Sequence, residues 1–199
     1  MALATGWQDA ALADGWDDLL SEVPASTAIP APPPVSAPLT IPALPTGFNI
    51  NQPRDQRHDV YTGPGKSYYQ VKVNEKGVYT STNGWIKAYA RDGDWLLIEY
   101  AISSGSRMGY VPRVNSKGQE IKDFYAAPEL PKASLPIRMI RLCILTDDPN
   151  VSGRVLFEVP ENLRGVLLCD HGGRWGYVEL TINGELVRGF VDCENYALD

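Results

Sequence analysis

Three groups of residues in this 199-residue chain could do chemistry: Cys169 with His171, Glu99 with Glu179, and the lysine of Gly63-Pro64-Gly65-Lys66. A thiolate beside an imidazole is the kernel of a cysteine nucleophile. Cys169 and His171 stand two apart, on one face if the strand continues. However, Gly172-Gly173 turns the chain there and no orienting partner sits at a recognisable spacing. They read as a strand-end cysteine beside a turn histidine. Glu99 and Glu179 lie in separate repeats and read as solvated strand charges rather than a general acid/base pair. The Gly63 to Lys66 stretch lacks the long glycine-spaced loop and following helix of a phosphate loop, so it is a turn. Cys143, Cys169 and Cys193 form no close pair, and with only His58 and His171 beside them no metal site is indicated. No cofactor is expected, and the chain reads as non-enzymatic.

The elements that would position these side chains follow from an internal repeat. Gly93-Asp94-Trp95-Leu96-Leu97-Ile98-Glu99, then Gly109-Tyr110-Val111, returns without a gap as Gly173-Arg174-Trp175-Gly176-Tyr177-Val178-Glu179, then Gly189-Phe190-Val191. Each copy is an apolar strand, a turn and a short strand entered through glycine, which describes a hairpin. Two copies predict an all-β protein of two small barrels. The expected divisions are an acidic leader over 1–23, a Pro-rich linker over 24–54, a first barrel over 55–114, a connection over 115–136 and a second barrel over 137–199.

Formal charge is −6, but Asp9, Asp14, Asp17, Asp18 and Glu22 all precede the first basic residue, Arg54. The repeats are therefore nearly neutral, which disfavours nucleic-acid binding through phosphate neutralisation. No apolar run approaches a membrane span, and the N-terminus lacks the basic and apolar regions of a signal peptide. Trp7, Ala11, Leu12, Trp16, Leu19, Leu20 and Val23 recur at helical spacing in the leader, as a short docking helix would, or as an untethered terminus. Ala31-Pro32-Pro33-Pro34, Pro38, Pro42 and Pro45 read as an extended spacer.

Within the first unit, Val60 to Gly65 is a strand ending in a Gly-Pro turn, and Asn83-Gly84 is a hairpin signal. In Trp85-Ile86-Lys87-Ala88-Tyr89-Ala90 the alternation places Ile86, Ala88 and Ala90 inside and Trp85, Lys87 and Tyr89 outside. Flat aromatic rings cover much ligand surface at little entropic cost. Tyr61, Tyr68, Tyr69, Trp85, Tyr89 and Tyr110 are thus the candidate ligand-binding residues, with packing against the second domain or the linker as the alternative. Trp95 and Trp175, being equivalent in the two repeats, read as packing residues.

Val60 to Gly65, Gly93-Asp94-Trp95 and Gly109-Tyr110-Val111 together resemble the bacterial SH3-like domains, with Tyr61 where arginine is usual. The second copy departs: Thr146-Asp147-Asp148-Pro149 replaces the Gly-Pro turn, and Arg174 replaces the aspartate before tryptophan. The resemblance implies a tandem pair of strongly bent barrels binding a peptide, a protein or peptidoglycan, on the cell envelope or outside the cell. Without a signal peptide in the chain, the cytoplasm stays open. A scaffold role in an envelope complex is the alternative. Terminal strands come close in such barrels, so Cys143 and Cys193 could be bridged in an oxidising compartment, with two free thiols as the alternative.

Overall fold

The structure, a computed structural model, describes residues 39–53, 56–70, 72–73, 76–77, 85–102, 105–150 and 153–199. The acidic leader, residues 24–38 of the Pro-rich stretch and the Asn83-Gly84 hairpin lie outside the described residues. So does the Trp85 side chain.

The described residues are all-β with almost no helix. Its strands are β1 (Phe48–Asn51), β2 (Lys72–Val73), β3 (Lys76–Gly77), β4 (Trp85–Asp92), β5 (Trp95–Ile102), β6 (Gly105–Pro112), β7 (Leu135–Met139), β8 (Cys143–Thr146), β9 (Val155–Val159), β10 (Arg164–His171), β11 (Trp175–Ile182), β12 (Glu185–Asp192) and β13 (Tyr196–Leu198). The first half orders β1-β4-β5-β6 into one sheet, and the second orders β13-β7-β10-β11-β12-β8-β9 into another. The hairpins β5–β6 and β11–β12 are the repeat seen in the sequence, in matching register: Trp95 faces Pro112 and Glu99 faces Met108, as Trp175 faces Asp192 and Glu179 faces Arg188.

The repeated glycines have a common cause. A Cβ on Gly109 would stand 2.4 Å from Val60 Cγ1, and one on Gly189 would stand 2.7 Å from the Thr146 carbonyl oxygen. Each glycine lets another segment of its own half, Val60-Tyr61 in the first and the end of β8 in the second, cross the last hairpin strand at close range. Tyr61 consequently exchanges two backbone hydrogen bonds with Tyr110, of 2.9 and 2.7 Å. Thr146 pairs with Phe190 in the corresponding place.

Three apolar clusters hold the described chain together. Ile50, Ile86, Ala88, Leu96, Ile98, Tyr100 and Val111 fill the first half, with Ile121 and Phe124 beneath them. Ile137, Leu145, Leu167, Val178, Leu180, Val187 and Val191 fill the second. The third joins the halves: Tyr89, Ala90, Leu97, Met108 and Tyr110 meet Leu168, Cys169, Tyr177 and Phe190. The hairpins are thus buried on both faces near their tryptophan ends, one face inward and one in the seam. Leu39–Asp199 accordingly forms one compact unit.

Two readings of the sequence are corrected here. Tyr89 is buried, not outside, because a bulge between Ala88 and Ala90 breaks the alternation and turns both Tyr89 and Ala90 to the seam. The matching bulge lies between Leu167 and Cys169. The stretch read as spacer up to residue 54 enters the fold earlier. β1 pairs along β4 with Ile50 in the core, and Leu44 is buried against the seam. Proline is compatible with this role because it lacks only the donor: the Pro42 carbonyl accepts from Asp170 N at 2.9 Å, and Leu44 N donates to Asp170 O at 2.7 Å.

The Cys143–Cys193 bridge is not formed, and all three thiols are free. The 3-10 turn over Cys193–Asn195 takes the chain out of β12 before it can lie against the start of β8. Cys143 Sγ rests 3.9 Å from Met139 Sδ, while Cys193 Sγ faces the Gly173 carbonyl at 3.8 Å. Cys169 is fully buried in the seam, and burial pushes its thiol up to about 12, so it is no thiolate at neutral pH.

Candidate functional site

Of the five candidate aromatics whose side chains are described, Tyr61 lines a surface recess. Tyr61, fixed by its bonds to Tyr110, sets its ring edge-on to Trp95, with centroids 5.4 Å apart and planes at 84°. Pro112 lies opposite Trp95 in the β5–β6 register. Together they form a cleft of two joined recesses, each of about 200 Å³. One is lined by Asp59, Tyr61, Lys66, Pro112, Val114, Asn115 and Ser116, the other by Asp94, Trp95, Pro112, Arg113 and Val114. Pro112 and Val114 are common to both. The lining mixes aromatic and aliphatic groups with polar ones: Asp59, Lys66, Asn115 and Ser116 belong to the first recess, and in the second Arg113 Nε donates to Asp94 Oδ1 at 3.0 Å.

The turn that carries Asp94 is positioned by Gly93, whose φ of +60° suits glycine. Arg113 N donates to the Asp94 carbonyl at 2.7 Å, tying this turn to the segment after β6. Burial pushes the Tyr61 hydroxyl above its ordinary value, with the Asp59 charge adding to the effect. It therefore stays a neutral donor at physiological pH.

The other candidates go elsewhere. Tyr110 is fully buried, and its hydroxyl, pushed up to about 12 by burial, accepts a hydrogen bond of 3.1 Å from Arg188 Nη1. It belongs to the seam and lines no surface, because its strand is covered on both faces. Tyr68 lies under the Arg188 guanidinium, 5.3 Å from ring centroid to Cζ, and donates to Glu179 Oε2 at 2.6 Å. Tyr69 packs edge-on to Phe157 at 5.0 Å, with its backbone N–H bonded to Leu186 O at 2.9 Å. Tyr89 donates to Glu99 Oε2 at 2.7 Å from its buried position. Trp85 begins β4 opposite Asn51.

Arg188 is the polar centre of the seam. Although almost fully buried, it donates to Asp92 Oδ2 at 2.8 Å and to Glu179 Oε2 at 2.7 Å, as well as to Tyr110. Lys132 reaches the same Asp92 carboxylate at 2.9 Å. Burial alone would raise the Asp92 carboxyl, but the hydrogen bonds from Arg188 and Lys132 outweigh it and hold the carboxyl below its ordinary value. The opposite side of the seam is stitched by Met108 N donating to Asp147 O at 2.9 Å. There Arg107 Nε stands 3.5 Å from the buried Asp147 carboxylate.

No protein-family model matches the chain, and no curated protein matches it. A solved structure titled "Structure of NlpC1 from Trichomonas vaginalis" aligns over 84% of this chain and 52% of its own length, at 11% identity and a TM-score of 0.31. The chain therefore spans about half the length of that protein.

Sequence reasoning missed Trp95, Pro112 and the Asp94–Arg113 pair as cleft residues. Recurrence made Trp95 look purely structural, whereas the useful signal lay in what does not recur. Pro112 and Asp94 are the positions where the second repeat has Asp192 and Arg174. It also missed Glu179 and Arg188, since neither the solvated reading of the glutamate nor any local pattern announces a buried charge network. Among the described residues no group of His, Cys, Asp and Glu could hold a metal ion.

Proposed function

We propose that the chain is a non-enzymatic binding protein built from two SH3-like barrels, the first of which takes an extended peptide in the Tyr61–Trp95–Pro112 cleft. The peptide would be carried by a partner protein or by peptidoglycan. The observation that carries this reading is the Tyr61–Trp95 pair, held rigidly edge to face beside a proline and left half-open to solvent. Aromatic walls with polar groups among them suit an extended backbone, which presents flat apolar faces and free carbonyls. Cleft residues Tyr61 and Trp95 take over the role expected of the six aromatics. Residence at the cell envelope belongs to the same proposal.

The test is co-sedimentation of the full chain with purified bacterial cell walls and, separately, capture by immobilised peptides, each compared with Tyr61→Ala. Tyr61→Ala is expected to keep the fold and lose saturable capture. Undiminished capture by that variant would move the site elsewhere.

A scaffold role is the second reading, and the observation favouring it is an apolar row on the second half. Ile140, Leu142, Ile144 and Val155 are 42%, 69%, 37% and 48% exposed. Sedimentation velocity over a wide concentration range tests it: self-association lost in Leu142→Lys supports assembly through this row, whereas a strictly monomeric protein with no stable partner removes it.

A further inference from the structure

The seam has two charged edges, and they are built in opposite ways. At the Arg188 edge both carboxylates are hydrogen-bonded: Asp92 accepts from Arg188 and Lys132, and Glu179 accepts from Arg188 and Tyr68. At the other edge Met108 N donates to the Asp147 carbonyl, and the Asp147 side chain is only 1% exposed. Yet neither of its carboxylate oxygens accepts a hydrogen bond from another residue among the described ones. Arg107 pairs with it at 3.5 Å through an Nε that makes no hydrogen bond either. The Tyr100 hydroxyl, near enough to feel the Asp147 charge, is buried as well and has no hydrogen-bond partner among the described residues.

A buried carboxylate that accepts no hydrogen bond is costly as an anion and far less so as a neutral acid. The groups around Asp147 come from several elements. Arg107 on β6 and Arg154 ahead of β9 favour the anion, and Asp148 in the turn after β8 opposes it. Tyr100 on β5 carries no charge, since burial pushes its hydroxyl well above its ordinary value. Glu99 and His171 act on the neighbouring Asp148. Burial outweighs the two guanidiniums and raises the Asp147 carboxyl from 3.8 to about 7. Asp92, in the same seam, moves the other way because its hydrogen bonds come from cations.

We infer that the Asp147 carboxyl is a proton-operated latch on the seam: as a neutral acid it lets β6 close against the turn after β8, and as an anion it loosens that edge while the Arg188 edge holds. The latch does not depend on the cleft. Linkage gives its direction. The stability that Asp147 contributes is fully present below its ordinary value of 3.8 and is lost as pH rises through its folded value of about 7. This edge of the seam is therefore tighter in mild acid than above neutrality.

Two measurements on the full chain test it. Carbon-13 NMR of protein labelled at its aspartates should find the Asp147 carboxyl titrating near neutrality. Amide exchange should show the protection of Met108 N–H, taken relative to the unstructured rate at each pH, falling by about tenfold per pH unit towards pH 7 and levelling above it. In Asp147→Asn, which keeps the shape of the neutral acid, that protection should stay level. The contributions of His58, His171 and Asp148 are common to both proteins and cancel in the comparison. A carboxyl that titrates at its ordinary value overturns the latch, and so does a Met108 protection with the same pH dependence in both proteins. If Asp147→Asn does not fold, the native chain decides alone: titration near neutrality with no matching change at Met108 also overturns it.

Discussion

The corners around Trp95 and Trp175 occupy equivalent places in the two halves, but different residues build them. Tyr61, which meets Trp95, is matched in the second half by Thr146, since each pairs with the aromatic residue of its Gly-aromatic-Val strand. Pro112 opposite the tryptophan is replaced by Asp192. The ion pair at the rim even changes polarity. Asp94 on the turn holds Arg113 in the first half, whereas Arg174 on the turn holds Asp192 at 2.9 Å in the second and lies over the Trp175 ring. Across the seam the asymmetry reverses, for the second half supplies Arg188 where the first has Met108. The repeated residues fix the architecture, and the unrepeated ones set the halves apart: the proposed recognition site lies in the first, and the charged centre of the seam in the second.

Making the halves alike at the seam should have the largest effect. Arg188→Met copies Met108 but leaves the carboxylates of Asp92 and Glu179 to Lys132 and Tyr68 alone, and should cost up to about 3–5 kcal/mol in urea unfolding. Adding Asp92→Asn and Glu179→Gln should recover most of that loss; a neutral Arg188→Met would show that the network does not hold the seam. Tyr110→Phe, which gives the first half the ring that Phe190 supplies to the second, should cost about 1.5–3 kcal/mol by removing a charge-assisted hydrogen bond.

Acid probes the same difference more gently. The depressed Asp92 carboxyl contributes stability that is fully present above its ordinary value of 3.8 and lost as pH falls through its lower folded value. Melting temperature should therefore drop more steeply below about pH 4 in the native chain than in Asp92→Asn. The smallest effect belongs to the exposed pair of the second corner, where Arg174→Ala should change stability by less than about 1 kcal/mol. A larger loss there would mean that the Trp175 corner is structural in a way its exposure conceals.

The hairpins were legible in the sequence because their causes are local. Gly93 and Gly173 both turn the chain at positive φ, and the glycine before each aromatic-Val pair admits a crossing strand. What was not legible depends on contacts between the halves. Tyr110 and Tyr89 read as surface residues, since a strand with apolar residues on both faces looks the same whether the second face meets solvent or another hairpin. The bulge that turns Tyr89 inward leaves no mark in Lys87-Ala88-Tyr89-Ala90. At the cleft, Tyr61 was legible from the aromatic content of the first turn. Trp95 was not, because equivalence with Trp175 argued for a shared role that only Thr146 and Asp192 contradict.

The short strap from Pro42 to Leu44 bonds to Asp170 of the second half before the chain enters β1 of the first. The polypeptide is therefore laced through its own duplication. Proteolytic nicking of the 115–134 connection should leave a non-covalent complex rather than two free modules, and the halves could not be shuffled as separate cassettes without carrying strap and seam along. A duplication tied in this way constrains its own divergence. Each copy could change alone at its outward corner, whereas a change where it met the other had to be matched across the seam.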